Sequence, residues 1–263
     1  MNPAQLFDLT GRTALVTGGG THLGRAMAEA LAAQGARVVL AGRRTDVVEA
    51  TAEAMRADGL WSRAVTLDVT DRDQVETVFA AVAEEVGPLD ILVCNAGASF
   101  EHTFPPDADV DEFRATLEVN AVGTYLCAQA GARQMVPRGR GSIVTVSSIH
   151  GSLSADPRLY DGIDMKIRSG PGYQASKSAV LALTRNLAAE LGRHGIRVNC
   201  ISPGQIPRAS NDPEFIERCR QLNALGIVGT PEDLKGAVVL LASDAGRFMT
   251  GANILVDAGW SIW

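Results

Sequence analysis

The 263-residue sequence is poor in aromatic residues, which make up 5% of it, and it has only four cysteines. Cys94, Cys127, Cys200 and Cys219 are scattered, with no Cys-x-x-Cys pair. That spacing argues against a disulfide framework and against a bound metal, and reads as reduced thiols of a cytoplasmic protein. Long apolar runs are absent. The stretch 237–242 is among the longest, far short of the about 20 residues that a membrane-spanning helix needs. The first residues, MNPAQLFDLTGR, lack the basic-then-apolar order of a secretion signal. No basic stripe is present and the net charge is −6, which excludes nucleic acid and anionic membrane surfaces as expected partners. What remains is ordinary globular composition, 46% hydrophobic and 21% charged. Domains of the α/β class run to about 250 residues, so residues 1–263 are expected to form a single domain.

Short β-branched runs alternate with alanine-rich amphipathic stretches. The pattern predicts strands over 13–17, 37–41, 63–67, 91–94, 142–147, 197–201 and 253–256. It predicts helices over 23–34, 46–57, 71–85, 110–135, 173–193 and 231–243, with a shorter one near 213–222. Strands that are apolar on both faces and alternate with helices imply a Rossmann-type doubly wound parallel sheet, covered by helices on both sides. Two polar, turn-rich segments, 151–172 and 204–229, interrupt the alternation. Both follow strands, so both belong at the carboxyl edge of the sheet, where open α/β folds bind ligands.

The first strand runs into Thr17-Gly18-Gly19-Gly20-Thr21-His22-Leu23-Gly24 and then a helix. Glycines there permit a tight turn and close approach of backbone N–H groups to a pyrophosphate. Gly18 and Gly20 satisfy the first two places of Gly-x-Gly-x-x-Gly, but Leu23 holds the third. The related Thr-Gly-x-x-x-Gly-x-Gly fits at Thr17, Gly18 and Gly24, with His22 in the middle glycine's place. The second strand ends in Gly42-Arg43-Arg44, with no acid to hydrogen-bond an adenine ribose. A guanidinium there suits a 2′-phosphate. Arg43 therefore points to NADP(H) as the preferred cofactor, with NAD(H) possible.

Tyr173 and Lys177 lie four residues apart, on one face of a predicted helix. A neighbouring ammonium is expected to lower the phenol's pKa and fit it for proton exchange near neutral pH. In isolation such a pair is a common helix-surface contact.

In context it is not isolated. The Thr17–Gly24 turn, Asp68-Val69, Asn95-Ala96-Gly97, Asn120, Ser147-Ser148, Tyr173-x-x-x-Lys177 and Pro203-Gly204 occur in one order along the chain. In this order the sequence resembles the short-chain dehydrogenase/reductase family over its whole length, most of all the branch acting on sugar acids and polyols. The resemblance implies that Tyr173 is the general acid/base. Lys177 would lower its pKa and hold the nicotinamide ribose, Ser148 would bind the reacting oxygen, and Asn120 would support a water linking Lys177 to solvent. It further implies that Gly18, Gly20, Thr21, His22, Leu23 and Gly24 meet the pyrophosphate. Asp68 and Val69 would hold the adenine, Asn95, Ala96 and Gly97 would pack by its ribose, and Pro203, Gly204 and Ile206 would line the nicotinamide. The family implies a homotetramer, pairing the 110–135 and 173–193 helices and the C-terminal segment between subunits.

Three features depart from the family pattern: His22 in place of a glycine, a loop Gln205-Ile206-Pro207-Arg208 without the usual threonine, and a separation of 25 positions from Ser148 to Tyr173, about twice the usual spacing. The added stretch is expected to wall the substrate pocket, with a surface loop or subunit contact as the alternative. Substrate contacts are expected from His150, Arg158, Gln205 and Arg208, with Lys166 and Arg168 also on the inserted loop. These favour a small polar substrate, anionic ones included, and point to a sugar acid, keto-sugar acid or polyol interconverted between secondary alcohol and ketone. The alternatives are reduction of a 3-oxoacyl thioester or another carbonyl, and a catalytically silent nucleotide-binding regulator.

Overall fold

The computed structural model describes residues 2–163 and 168–263. Seven strands form one parallel sheet in the order β3-β2-β1-β4-β5-β6-β7. They are β1 (Thr13–Thr17), β2 (Arg37–Gly42), β3 (Ser62–Thr66), β4 (Ile91–Cys94), β5 (Gly141–Val146), β6 (Ile196–Pro203) and β7 (Asn253–Val256). After a short α1 (Pro3–Leu6), the helices are α2 (His22–Ala33), α3 (Thr45–Ala57), α4 (Arg72–Glu85), α5 (Val110–Leu117), α6 (Gly123–Met135), α7 (Pro171–Gly192), α8 (Pro213–Leu222) and α9 (Lys235–Ala242).

Strand alternation builds two cores. Ala14 and Val16 of β1 face one side, with Met27 and Leu31 of α2, Met55 of α3 and Val238 of α9. Leu15 faces the other, with Phe79 of α4, Cys127 of α6 and Leu187 of α7. This is the doubly wound arrangement that the apolar strands imply. The strand order reverses at the β1/β4 boundary, so the turn after β1 and the loop after β4 open side by side at the carboxyl edge.

Two helices differ from their predicted form. The helix expected over 110–135 is broken by a five-residue π turn at Glu118–Val122. Within it the Asn120 carbonyl accepts the Thr124 hydroxyl at 2.7 Å. Gly123 follows, so close to Val69 that a Cβ would stand 2.7 Å from its Cγ2. Apolar periodicity cannot register one extra residue in a turn, and such turns gather at functional sites. The last helix starts as a 3₁₀ turn, Pro231–Leu234, held by a Thr230–Asp233 capping box.

The inserted segment docks on α8. Leu159 is buried with Ile149, Phe215, Cys219 and Trp260, and Tyr160 stacks on Phe215 at 5.8 Å between ring centroids. Arg218 Nη1 donates to the carbonyls of Arg158, Leu159 and Asp161 at 3.1, 3.2 and 2.8 Å. Of the predicted loop residues, Asp164 and Lys166 lie outside the described residues.

Candidate active site

A cleft of about 610 Å³ runs along the carboxyl edge, from Arg43, Arg44 and Asp68 past the Gly18–Gly24 turn to Tyr173 and Lys177. A second pocket of about 240 Å³ adjoins it and shares Leu23, Ser147 and Tyr173. Its wall carries Ser148, His150, Gln205 and Asn211.

The turn between β1 and α2 is built for close approach. Gly18 has φ +63°, and a Cβ on Gly24 would stand 2.1 Å from the Gly18 carbonyl oxygen, so helix and strand meet with no room for a side chain. The Thr17 hydroxyl accepts the N–H groups of Asn95 and Ala96, both at 3.0 Å. Asn95 Nδ2 donates back to the carbonyls of Thr17 and Gly18 at 3.0 and 3.2 Å. Asn95 thus ties the two loops at the switch point together, a role the ribose-packing expectation did not contain. Gly20, Thr21, His22, Leu23, Ala96 and Gly97 line the cleft beside it. His22 takes a positive φ of 49°, the glycine conformation its position demands. Its Nε2 lies 3.3 Å from the Ile206 carbonyl oxygen. Burial, then the charge of Arg208, lowers the His22 pKa.

At the far end Asp68 and Val69 line the wall with Arg43. Although burial pushes the Asp68 carboxyl up, hydrogen bonds from Thr70 and the nearby Arg43 guanidinium leave it below its ordinary value. The cleft fits a dinucleotide. It is of ligand size, a helix N-terminus and close-packed glycine backbone lie midway, and cations stand at the end expected to take the adenine half.

At the other end Tyr173 and Lys177 converge. Burial raises the phenol's pKa above its ordinary value, against a hydrogen bond from the Ser148 hydroxyl that lowers it, and Tyr160 raises it further. Burial likewise lowers the Lys177 amine from 10.5 to about 8. Lys177 Nζ donates to the Val146 carbonyl at 3.0 Å and sits 5.7 Å from the centre of the Tyr173 ring. The expected acidification of Tyr173 by Lys177 is therefore corrected: in this protein alone, desolvation disfavours the charged form of both groups. The two serines divide their work. Ser147 Oγ donates to the Lys177 carbonyl at 2.7 Å, while Ser148 Oγ faces the phenol.

Asn120 is fully buried and reaches neither cleft. Its Oδ1 accepts the Ala98 N–H at 2.8 Å and its Nδ2 donates to the Ala98 carbonyl and Ser176 Oγ, both at 2.9 Å. These bonds hold the loop after β4 against α7, and a Cβ on Gly97 would meet both Asn120 Oδ1 at 3.1 Å and Lys177 Nζ at 3.3 Å, which puts Asn120 beside the Lys177 amine. Pro203, Gly204 and Ile206 line the smaller pocket with Gln205.

The expected substrate cations lie outside the lining of the smaller pocket. Arg158 is exposed and clamped by Asp156 through bonds of 2.6 to 3.0 Å. Arg208 lines the larger cleft, by the glycine turn. Arg168 lies over the Phe104 ring at 3.7 Å. Among the described residues lining the smaller pocket there is no lysine or arginine. His150 is there, its Nδ1 buried with no hydrogen-bond partner among the described residues and its pKa lowered by burial against a bond to the Leu153 backbone. Thr17, Ser147 and Glu101 carry structural work at the site that sequence reasoning missed. Thr17 was signalled by its fixed place before Gly18, whereas a lone acid in a loop gives no sign.

Comparison with known proteins agrees with this geometry. Residues 20–261 match the family described as enoyl-(acyl carrier protein) reductase. The chain is 36% identical to gluconate 5-dehydrogenase of Gluconobacter oxydans over 269 residues, covering 100% of this chain and 99% of that one. It is 34% identical to galactitol 2-dehydrogenase (L-tagatose-forming) of Cereibacter sphaeroides, over 100% of both. Its structure superposes on a gluconate 5-dehydrogenase from Burkholderia cenocepacia, crystallised with NADP and tartrate, with a TM-score of 0.89, 30% identity and 99% of each chain covered. Fold, ordered motifs and relatives agree: the chain belongs to the short-chain dehydrogenase/reductase family, whose members are oxidoreductases acting on CH–OH groups.

Proposed function

We propose that this protein interconverts a secondary alcohol and a ketone on a small, uncharged polyol or ketose, using NADP(H), with its single α/β domain repeated in a homotetramer. The observation that carries the substrate class is the cation-free wall of the smaller pocket among the described residues. An anionic sugar acid would sit there unpaired, at a cost that a neutral polyol avoids. Relatives named for gluconate and for galactitol leave both open, and the pocket chemistry favours the second. Ser148, His150, Gln205 and Asn211 offer the donors and acceptors that several hydroxyl groups require. The exposed Leu255, Ile262 and Trp263 support a subunit contact at the C-terminal segment.

When bound, the nicotinamide accepts or supplies the hydride. The chain's own residues do the rest. The Gly18–Gly24 turn would hold the pyrophosphate, and Arg43 the 2′-phosphate. Ser148 orients the substrate oxygen towards Tyr173. In oxidation the Tyr173 phenolate takes the hydroxyl proton; in reduction the phenol returns it. Lys177, whose Nζ lies 5.7 Å from the centre of the Tyr173 ring, would counter the burial that opposes phenolate formation.

The test is reduction of NADP⁺ by galactitol and by gluconate, compared as kcat/KM. The polyol should exceed the sugar acid by about tenfold or more, since an unpaired charge costs several kcal/mol and each 1.4 kcal/mol is a factor of ten. Preference for gluconate would reverse the substrate argument.

Two smaller effects belong here. Arg43→Asp should cut the preference for NADP⁺ over NAD⁺ by roughly 10- to 100-fold, the worth of a charge-assisted bond of about 1.5–3 kcal/mol; an unchanged ratio of rates would exclude the 2′-phosphate role. His150→Phe should raise the polyol KM several-fold and leave NADPH affinity alone, because His150 faces only the smaller pocket. Equal KM values for variant and wild type would remove His150 from the substrate site.

A further inference from the structure

Glu101 lies in the loop after β4, in none of the family motifs, yet it is only 2% exposed. Its two carboxylate oxygens each accept a backbone N–H from the start of α7: Oε1 from Gly172 at 2.7 Å and Oε2 from Tyr173 at 2.8 Å. The first turn of a helix leaves N–H groups unpaired. Here the N-cap residue is Gly170, with no side chain to offer, and Pro171 has no N–H. Glu101 supplies from another loop the cap that α7 lacks.

The surrounding glycines fit this contact. Gly170 has φ −87°, which any residue adopts, so its glycine is not explained by backbone freedom. A Cβ on Gly170 would stand 2.7 Å from Glu101 Oε1, and one on Gly172 would stand 3.2 Å from Glu101 Cδ. Gly170 leaves room for the carboxylate, and Gly172 leaves room for it and for Phe113, whose Cα would stand 3.1 Å from a Cβ there. The same loop grips the chain just before α7 a second time, where Phe104 lies beneath the Arg168 guanidinium. Its other end, at Ala98, is pinned by Asn120.

We infer that Glu101 is a positioning residue for the reaction, fixing Tyr173 against Ser148 by holding the first turn of α7 in place of the connecting chain. This rests on the reading of Tyr173 as the acid/base. The inserted segment explains why such a device is useful. A longer connection between Ser148 and Tyr173 constrains their relative position less, and a misplacement of about 1 Å can cost a reacting pair about 100-fold. Glu101 links Tyr173 directly to the loop that floors the larger cleft.

The test uses the full-length chain with Glu101→Gln, which keeps the side-chain volume but leaves one acceptor oxygen. Three quantities are read: kcat with galactitol and NADP⁺, the Kd for NADPH, and amide hydrogen exchange across α7. The expected result is a fall in kcat of about tenfold or more with the NADPH Kd within about twofold of wild type. Exchange should rise in the 171–177 segment and stay unchanged in the rest of the helix. Gly170→Ala, whose Cβ meets the carboxylate, should give the same split, and serves in its place should Glu101→Gln not fold. Unchanged kcat and exchange would overturn the inference. So would a uniform loss of kcat, NADPH affinity and protection throughout the protein, which is the mark of a general stability defect. If the wild type turned over no polyol, the functional reading would fail, while the exchange and NADPH arms would still decide whether Glu101 holds the helix.

Discussion

Tyr173→Phe is expected to lose turnover by about 10²–10⁴-fold, the contribution of a positioned proton donor and acceptor, while NADPH affinity and folding stability stay near wild type. The ring keeps its place at the junction of the two pockets. Only the hydroxyl and its bond to Ser148 disappear, and removing one such bond costs about 1 kcal/mol. Activity and stability should therefore separate cleanly. Steady-state rates beside a thermal melt check this; wild-type turnover in the variant would remove Tyr173 from the chemistry.

Lys177→Met should separate them in opposite directions. Turnover should fall by about 100-fold or more, because the phenolate loses the cation that opposes its desolvation. The protein without cofactor should become more stable. Lowering the Lys177 pKa from 10.5 to about 8 corresponds to roughly 3 kcal/mol against the folded state, at about 1.4 kcal/mol per unit. Loss of the bond to the Val146 carbonyl returns about 1 kcal/mol, leaving a net gain of about 2 kcal/mol. The sign follows from linkage. Below about pH 8 Lys177 is protonated in both folded and unfolded chains, and the penalty is full. Between about 8 and 10.5 the folded form sheds its proton first, so the penalty fades as pH rises. Denaturant melts at neutral pH and near pH 10.5 should thus show the gain and then its disappearance. A variant destabilised at neutral pH would contradict the burial argument.

The fold was legible because strand apolarity and helix periodicity repeat many times along the chain. The predicted strands all occur, with ends displaced by a residue or two at β2, β3, β5 and β6. The members of the site were legible because chain order carries them: the glycine turn, Asn95, Ser148, Tyr173 and Lys177 each follow a strand or open a helix at the carboxyl edge. Their electrostatics were not. Spacing along a helix places Lys177 near Tyr173, but the depth at which the pair lies decides its titration, and depth comes from the whole packed sheet. Charge was misleading for a related reason. Arg158 stands in the segment between two site residues, yet an acid two positions earlier captures it. Glu101 was invisible because its partners, Gly172 and Tyr173, are about seventy residues away.

The pH dependence of kcat/KM for polyol oxidation tests the central claim most directly, since it reports the free enzyme's essential base. Burial raises the phenol above its ordinary value, which disfavours the reactive phenolate in the neutral range. The rate should climb through the neutral range and on into the alkaline one, and the Tyr173→Phe variant should lack that rise. A wild-type profile already level at neutral pH, or one that the variant shares, would contradict the assignment of the proton to Tyr173.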